Sequence, residues 1–338
     1  MPTAIDTRFL TDAPDPAAVK AWRVAHRGDP SLATGGAVIG PIVMTVVGLM
    51  FAVVGTAFGL PQGLLPIGLG AVVAIVGIVL LATGGRRWTK LYRLWSFAAA
   101  NRLVYYATGD GPGYPGAIFN RGHGQRITDH LVRATGRTLD YGNYTYTTGS
   151  GKNQTTHSWW FLALRLDRAL PHMVLDSRAN NALFGATNLP VTFAKDQTLR
   201  LEGDFNEHFT LYAPKEYERD ALYVFTPDLM ALCIDEASAW DLEIVDDWLF
   251  AYSSRHLDMA DPAVQQRIWR FIDTVGAKTL SQTDQYADER AGGRAAFAAN
   301  VVAPEGARLK RGVPWIAIVT TVVIVGGYFA LRFFGVFR

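Results

Sequence analysis

Residues 36–85 read GAVIGPIVMTVVGLMFAVVGTAFGLPQGLLPIGLGAVVAIVGIVLLATGG, and from Gly35 to Gly85 there is no Asp, Glu, Lys, Arg or His. Ala37–Leu60 and Leu64–Thr83 are each about twenty mostly apolar residues, enough for a helix to cross roughly 30 Å of hydrocarbon at about 1.5 Å per residue. Leu60-Pro61-Gln62-Gly63 joins them, and so short a link permits only a tight turn. The stretch predicts a transmembrane helical hairpin over residues 36–84. No ionisable group lies inside it, which disfavours a proton relay or an ion path through these helices. Its glycines (Gly36, Gly40, Gly48, Gly55, Gly59, Gly70 and Gly77) let helix backbones approach. That serves either packing of the two spans on each other or contact between copies of the chain.

Working outward, a second charge-free run covers Gly312–Leu331 and opens with Pro314-Trp315, a helix-start proline beside an interfacial aromatic. It predicts a third span over residues 313–332, followed by a short tail, 333–338. Cations flank the spans unevenly. Lys20, Arg23 and Arg27 precede the first; Arg86, Arg87, Lys90 and Arg93 follow the second; Arg308, Lys310 and Arg311 precede the third. The excess of Lys and Arg on the cytoplasmic side of membrane proteins then places the protein in the cell membrane as a multi-pass chain. The N-terminus and main domain are cytoplasmic and the C-terminus is outside, although Arg332 and Arg338 oppose this slightly.

Residues 1–35 read as a polar, partly disordered N-terminal tail with room for a short helix over Asp15–His26. A cleaved signal peptide would carry its apolar region much nearer the start. Residues 85–108 begin RRWTKLYRLWSFAAANRL, with Trp88, Leu91, Tyr92, Trp95 and Ala99 at helical spacing. They predict a juxtamembrane amphipathic helix that lies either on the bilayer surface or against the domain.

The stretch 109–280 reads as a cytoplasmic α+β domain with a mainly antiparallel sheet. Asp110–Gly124 holds five glycines and two prolines and is a loop. Thr138–Thr148 and Thr156–Asp167 read as a hairpin, and His172–Asp176, Leu199–Glu202, Phe209–Tyr212 and Ala221–Phe225 as further strands. Leu242–Val245 and Trp248–Tyr252 suggest a tight hairpin turning on Asp246-Asp247. Thr226 caps a helix with Pro227 at its first position. Asp261–Lys278, with Val264, Ile268, Phe271, Ile272 and Val275 on one side, is an amphipathic helix over the sheet. Residues 281–312 read as a linker back to the membrane.

Charge excludes one large class of partner. The chain has 32 basic and 30 acidic residues. Residues 1–35 hold four of each and the C-terminal tail adds Arg332 and Arg338, so residues 86–312 are neutral. A neutral domain lacks the basic face that phosphate backbones require, and no nucleic acid is expected. Cys233 is the single cysteine, which excludes an intrachain disulfide and a thiolate-rich metal site.

Sequence motifs for catalysis fail on inspection. Gly111-Pro112-Gly113-Tyr114-Pro115-Gly116 matches G-x-G-x-x-G in letters, but its prolines deny the motif the strand and helix it needs. Gly151-Lys152 lacks the first glycine and the Ser or Thr of a phosphate loop. There is no nucleophile elbow, and His123 and His130 are badly spaced for a metal. No cofactor and no metal are expected. The remaining candidates are Asp204, Glu207 and His208, whose carboxylates and imidazole could do acid–base work, against the plainer reading of a solvated, self-capping turn. His157-Ser158-Trp159-Trp160 offers stacking aromatics or core. The acidic set Asp235, Glu236, Asp241, Glu243, Asp246 and Asp247 reads as a solvated face.

Glu202–Tyr212, EGDFNEHFTLY, with Ala221–Met230, ALYVFTPDLM, resembles a family of bacterial integral membrane proteins of unknown function. That family carries F-N-x-x-F and T-P-x-L-M patterns in a cytoplasmic domain behind N-terminal transmembrane helices. Over Thr138–Thr279 the resemblance implies topology and fold but no activity. Phe205, Phe209, Pro227 and Leu229 read as core and capping positions. The functional expectation is a membrane-anchored interaction or scaffold module, without catalysis, that contacts the lipid bilayer and binds a protein partner or assembles as a homo-oligomer. The alternatives are a membrane-surface hydrolase or lipid-modifying enzyme using Asp204, Glu207 and His208, and an oligomeric conduit.

Overall fold

The structure is a computed structural model that describes residues 5–29, 32, 39–59, 61–181, 187–292, 298–312, 323, 325 and 326. The expected third span, 313–332, and the tail, 333–338, lie outside the described residues apart from those last three positions.

Helices α3 (Ile39–Ala57) and α4 (Leu64–Ala100) form a hairpin, and glycine decides how close they come. A Cβ on Gly70 would sit 2.5 Å from the Ala52 backbone nitrogen, and one on Gly77 would sit 2.7 Å from that of Thr45. Gly48 likewise lies on the backbone of Gly70 and Ala74. These glycines are used between the two helices, while Gly40 and Gly68 face open space. The remaining surface is bare: only 11% of the apolar window of α3 and 17% of that of α4 is buried. A core helix of a water-soluble fold would be mostly buried, so both helices have the length and the exposed apolar surface to cross a membrane.

A separate juxtamembrane helix over 85–108 does not exist. Helix α4 runs unbroken for 37 residues, about 55 Å at 1.5 Å per residue. Nothing between Gly84 and Ala100 is a proline, so nothing removes a helix hydrogen bond there. It ends at Asn101-Arg102, where Arg102 takes a positive φ of 57°, and Leu103–Asp110 is already strand β1. The C-terminal part of α4 belongs to the domain core, with Leu94 and Phe97 fully buried. The N-terminal segment is not a loose tail either. α1 (Arg8–Thr11) and α2 (Pro16–Ala25, capped by Asp15) pack along α4, burying Leu10 and Trp22. Asp6 and Asn101 exchange hydrogen bonds of 2.9 Å.

The sheet has seven antiparallel strands: β1, β2 (His123–Arg133), β3 (Leu139–Thr148), β4 (Thr155–Ser177), β5 (Thr198–Leu199), β6 (Phe209–Tyr212) and β7 (Asp241–Ser253). The order is β1-β2-β3-β4-β6-β5, and β7 pairs the other edge of β4. Strand β4 absorbs the segment expected as a separate strand at His172–Asp176. Likewise β7 is one strand where a tight hairpin was expected. Asp246 is still the point of change: it has φ 53°, and between the pairs Arg165–Trp248 and Leu170–Asp246 four residues of β4 face one of β7. This large bulge bends both strands and exchanges their faces. In β7, Leu242 and Ile244 share a core with Leu249 and Ala251, even positions before the bulge and odd ones after it.

Both faces of the sheet are covered, which is why β4 reads as a continuous apolar run. Trp160, Leu162 and Leu164 point to a face under α4, α6 (Glu218–Val224), α7 (Pro227–Leu232), α8 (Pro262–Phe271) and α9 (Ala277–Thr283). Phe161 and Ala163 point to the other, where loop 111–122 inserts Ile118 and Phe119 and the C-terminal stretch inserts Leu309. Ala221–Phe225, expected as a strand, lies in α6, whose acidic first turn suits a helix N-terminus. Pro227 opens α7 as expected, but the buried Thr226 hydroxyl makes no cap bond. Residues 281–312 are not a free linker. Buried Asp288 accepts from the Tyr217 hydroxyl (2.7 Å) and the Ala303 amide (2.8 Å), which fastens this return segment to the domain.

Candidate functional site

Asp204, Glu207 and His208 do not converge on anything. They occupy the single turn of α5 (Phe205–His208); Asp204 and Glu207 are exposed, and none of the three makes a side-chain hydrogen bond among the described residues. The turn serves the core through Phe205 and Phe209, both buried, as is Leu229. His157 stacks on Tyr146 at 4.7 Å, while Trp159 and Trp160 are buried on opposite faces of the sheet.

The acidic set is not one solvated face either. Asp246 pairs with Arg308 at 2.7 Å and Asp247 with Arg165, whereas Asp241 and Glu243 are buried at 0% and 1% exposure. Asp241 accepts from the Ser177 amide at 2.8 Å. Burial, and then nearby Asp176, push its carboxyl up to about 7. An acid raised in this way binds its proton in the folded chain before the unfolded one does, so stability grows as pH falls through about 7 until the unfolded chain protonates near pH 4. Asp241→Asn should therefore melt above the wild type at about pH 8, and the gain should vanish by about pH 5. Thermal unfolding across that range checks this, and a pH-independent difference would refute it.

Glu243 organises the most elaborate polar centre. Three donors engage both oxygens of its carboxylate: His172 Nε2, the Ala117 amide and the Tyr252 hydroxyl, each at 2.7 Å. Tyr252 is nine residues away along the same strand, which straight would put the two about 30 Å apart. The bend at Asp246 is what lets them meet. Burial, then the adjacent Glu243 charge, push the Tyr252 hydroxyl well above the usual tyrosine range. His172 Nδ1 accepts from the Leu309 amide at 3.0 Å, which leaves the ring proton on Nε2, facing Glu243. Gly116 is required here by proximity: a Cβ on it would overlap the Tyr252 hydroxyl and lie 3.2 Å from Glu243 Oε2.

Above this centre is a cavity of about 340 Å³ between loop 111–122 and residues 308–311. Arg121, Arg308 and Arg311 line it. Arg308 is spoken for, donating to both oxygens of Asp246 at 2.7 and 2.8 Å. Arg121 is half-buried and, among the described residues, donates only Nε–H, to the Ala117 carbonyl at 2.6 Å. Arg311 is exposed, and neither it nor Arg121 has a carboxylate partner among the described residues. Burial pulls Arg121 below the usual arginine range; Arg311 adds to this, and Tyr146, Glu243 and Tyr144 oppose it. Next to Arg121 the buried Tyr144 hydroxyl has no hydrogen-bond partner among the described residues, and burial pushes it up to about 12.

The return segment closes the site. Gln197 exchanges hydrogen bonds of 2.9 Å with the Lys310 backbone, and the Gly312 amide donates to the Thr192 carbonyl at 2.7 Å. None of this centre was identified as a site from sequence. An acid at an alternate position of the apolar run Leu242–Val245 is the signal that points to Glu243. For Arg121 no local signal exists.

No protein-family model matches the chain, and none of the curated proteins compared with it does. Among solved structures, the crystal structure of the mycobacterial trehalose monomycolate transport factor A, TtfA, is similar at a TM-score of 0.37 and 10% identity, over 58% of this chain and 92% of that chain. A likeness of that degree says nothing further about fold or function.

Proposed function

We propose that this chain is a membrane-anchored binding module whose sheet domain is held at the cytoplasmic surface of the bilayer and retains a ligand or partner without transforming it. The observation that carries the reading is α4. One unbroken helix supplies an exposed apolar span at its start and buried core residues, Leu94 and Phe97, near its end. Lys90 ties the same helix to Asp129 at 2.9 Å. The domain is thus a stiff extension of the anchor rather than a body on a flexible leash. The cations before α3 and after the apolar part of α4 favour the cytoplasmic side. Binding rather than catalysis is favoured because both nitrogens of His172 and both oxygens of Glu243 are already engaged in holding the fold.

The test is membrane extraction combined with protease access. The protein should stay in the membrane after an alkaline carbonate wash. Trypsin should cut the exposed hairpin tip at Lys152 in inverted vesicles and spare it in intact spheroplasts. Release by carbonate, or cleavage from outside, would overturn the reading.

A further inference from the structure

We propose that the cavity between loop 111–122 and residues 308–311 is an anion site that takes a phosphate mono- or diester group between the guanidinium groups of Arg121 and Arg311. Two cations face one space, neither paired with a carboxylate among the described residues, and one of them is half-buried. That arrangement costs folding energy, which an anion returns. The nearby charges supply only part of that relief: Glu243 offsets some of the cost at Arg121, yet burial and Arg311 still hold the guanidinium below its usual range. Asp246 is committed to Arg308, and Glu243, which lines the same cavity, already accepts from three donors of the fold. Two guanidiniums against one buried carboxylate leave the cavity net positive.

A tetrahedral anion suits the pair better than a planar carboxylate. It accepts forked hydrogen bonds from two directions at once, whereas a carboxylate presents both oxygens to one fork. The volume exceeds that of a bare phosphate and leaves room for an ester substituent. Arg311 is also the last residue before the charge-free run from Gly312 to Leu331. On the membrane-anchored reading, which this point alone rests on, that places the cavity at the level of lipid headgroups. The phosphate then belongs either to a lipid headgroup or to a soluble phosphate compound.

Binding to the full-length protein in a neutral detergent distinguishes the two. The probes are inorganic phosphate, phosphatidylglycerol in mixed micelles, and diacylglycerol as the phosphate-free lipid. Saturable binding of phosphate or phosphatidylglycerol is expected, and none of diacylglycerol. Arg121→Gln and Arg311→Gln should each weaken it about tenfold, while Arg200→Gln, an exposed control outside the cavity, should change it less than about twofold. Phosphatidylglycerol binding far more tightly than inorganic phosphate would identify the lipid source, and similar affinities the soluble one. Arg311 is exposed, so its variant keeps the test valid if Arg121→Gln melts early. No saturable binding of either phosphate probe, or equal loss in Arg200→Gln, would overturn the site. If the protein nevertheless stays in carbonate-washed membranes, the anchor stands and only the anion site falls.

Discussion

Leucine in place of Gly70 is expected to force the two apolar helices apart, while leucine at Gly68, two residues away, is tolerated. A Cβ at Gly70 would meet backbone rather than a flexible side chain: the Ala52 nitrogen at 2.5 Å and the Gly48 oxygen at 2.6 Å. Backbone cannot rotate away, so the helix axes must separate and the neighbouring contacts at Gly48–Ala74 and Thr45–Gly77 open with them. In lipid, close packing and not water exclusion holds helices together, so lost proximity has no hydrophobic compensation. Overpacking of a tight site costs about 1–3 kcal/mol, and the opening of adjacent contacts adds to it. Gly68 has nothing within 4 Å of its would-be Cβ. Thermal melts in detergent should show a clear loss for Gly70→Leu and near-identity with wild type for Gly68→Leu. Equal melts for the two variants would mean that the hairpin is not held by these glycines.

Removing the Glu243 carboxylate should be the most damaging single change in the domain. Glu243→Ala strands the His172 Nε2–H, the Ala117 amide and the Tyr252 hydroxyl together in a buried space. Each orphaned buried donor costs about 1–3 kcal/mol, and a fall in melting temperature of about 10 °C or more follows for a domain of this size. The damage has a direction. Ala117 holds loop 111–122, and His172 holds the return segment through Leu309. Trypsin should therefore cut faster after the exposed Arg308 and Lys310. Glu243→Gln keeps the shape and one acceptor but turns an N–H toward donors, so it should fall between the two. A Glu243→Ala protein that melts within about 1 °C of wild type would show the network to be dispensable.

The elements most legible in the sequence were those whose signal is local. A chargeless run of residues admits one solution in lipid, so the hairpin over 36–84 was readable without a fold. Asp261-Pro262 with its apolar stripe gave α8, and Phe209–Tyr212 gave β6 to the residue, because a cap or a period of two is written in neighbouring positions. Ala221–Phe225 misled because apolar and aromatic residues suit either element. Its acidic first turn and the burial of Ala221 and Val224 three apart make it a helix.

The candidate site was illegible for a related reason. Asp204, Glu207 and His208 drew notice because they are close in sequence, but the turn at α5 leaves Asp204 and Glu207 exposed and brings none of the three to a shared partner among the described residues. Arg121 and Arg311 are 190 positions apart. They line one cavity because loop 111–122 and the return segment are bound to the same buried carboxylate, one directly and one through His172, with Gln197 and Thr192 holding the return segment besides.

By itself, then, the sequence determined a helical hairpin long and apolar enough to cross a membrane, since an uncharged helical stretch needs no tertiary partner to be recognised. It determined also an antiparallel sheet covered by amphipathic helices. Tertiary structure alone decided that α4 continues from its exposed apolar part into the core and that the glycines join the hairpin. It decided too that β4 and β7 bend at Asp246. A bulge shifts the register between strands, and register depends on the pairing partner rather than on the strand's own residues. On that one shift rests the meeting of Glu243 with Tyr252, and with it the cavity and its arginines.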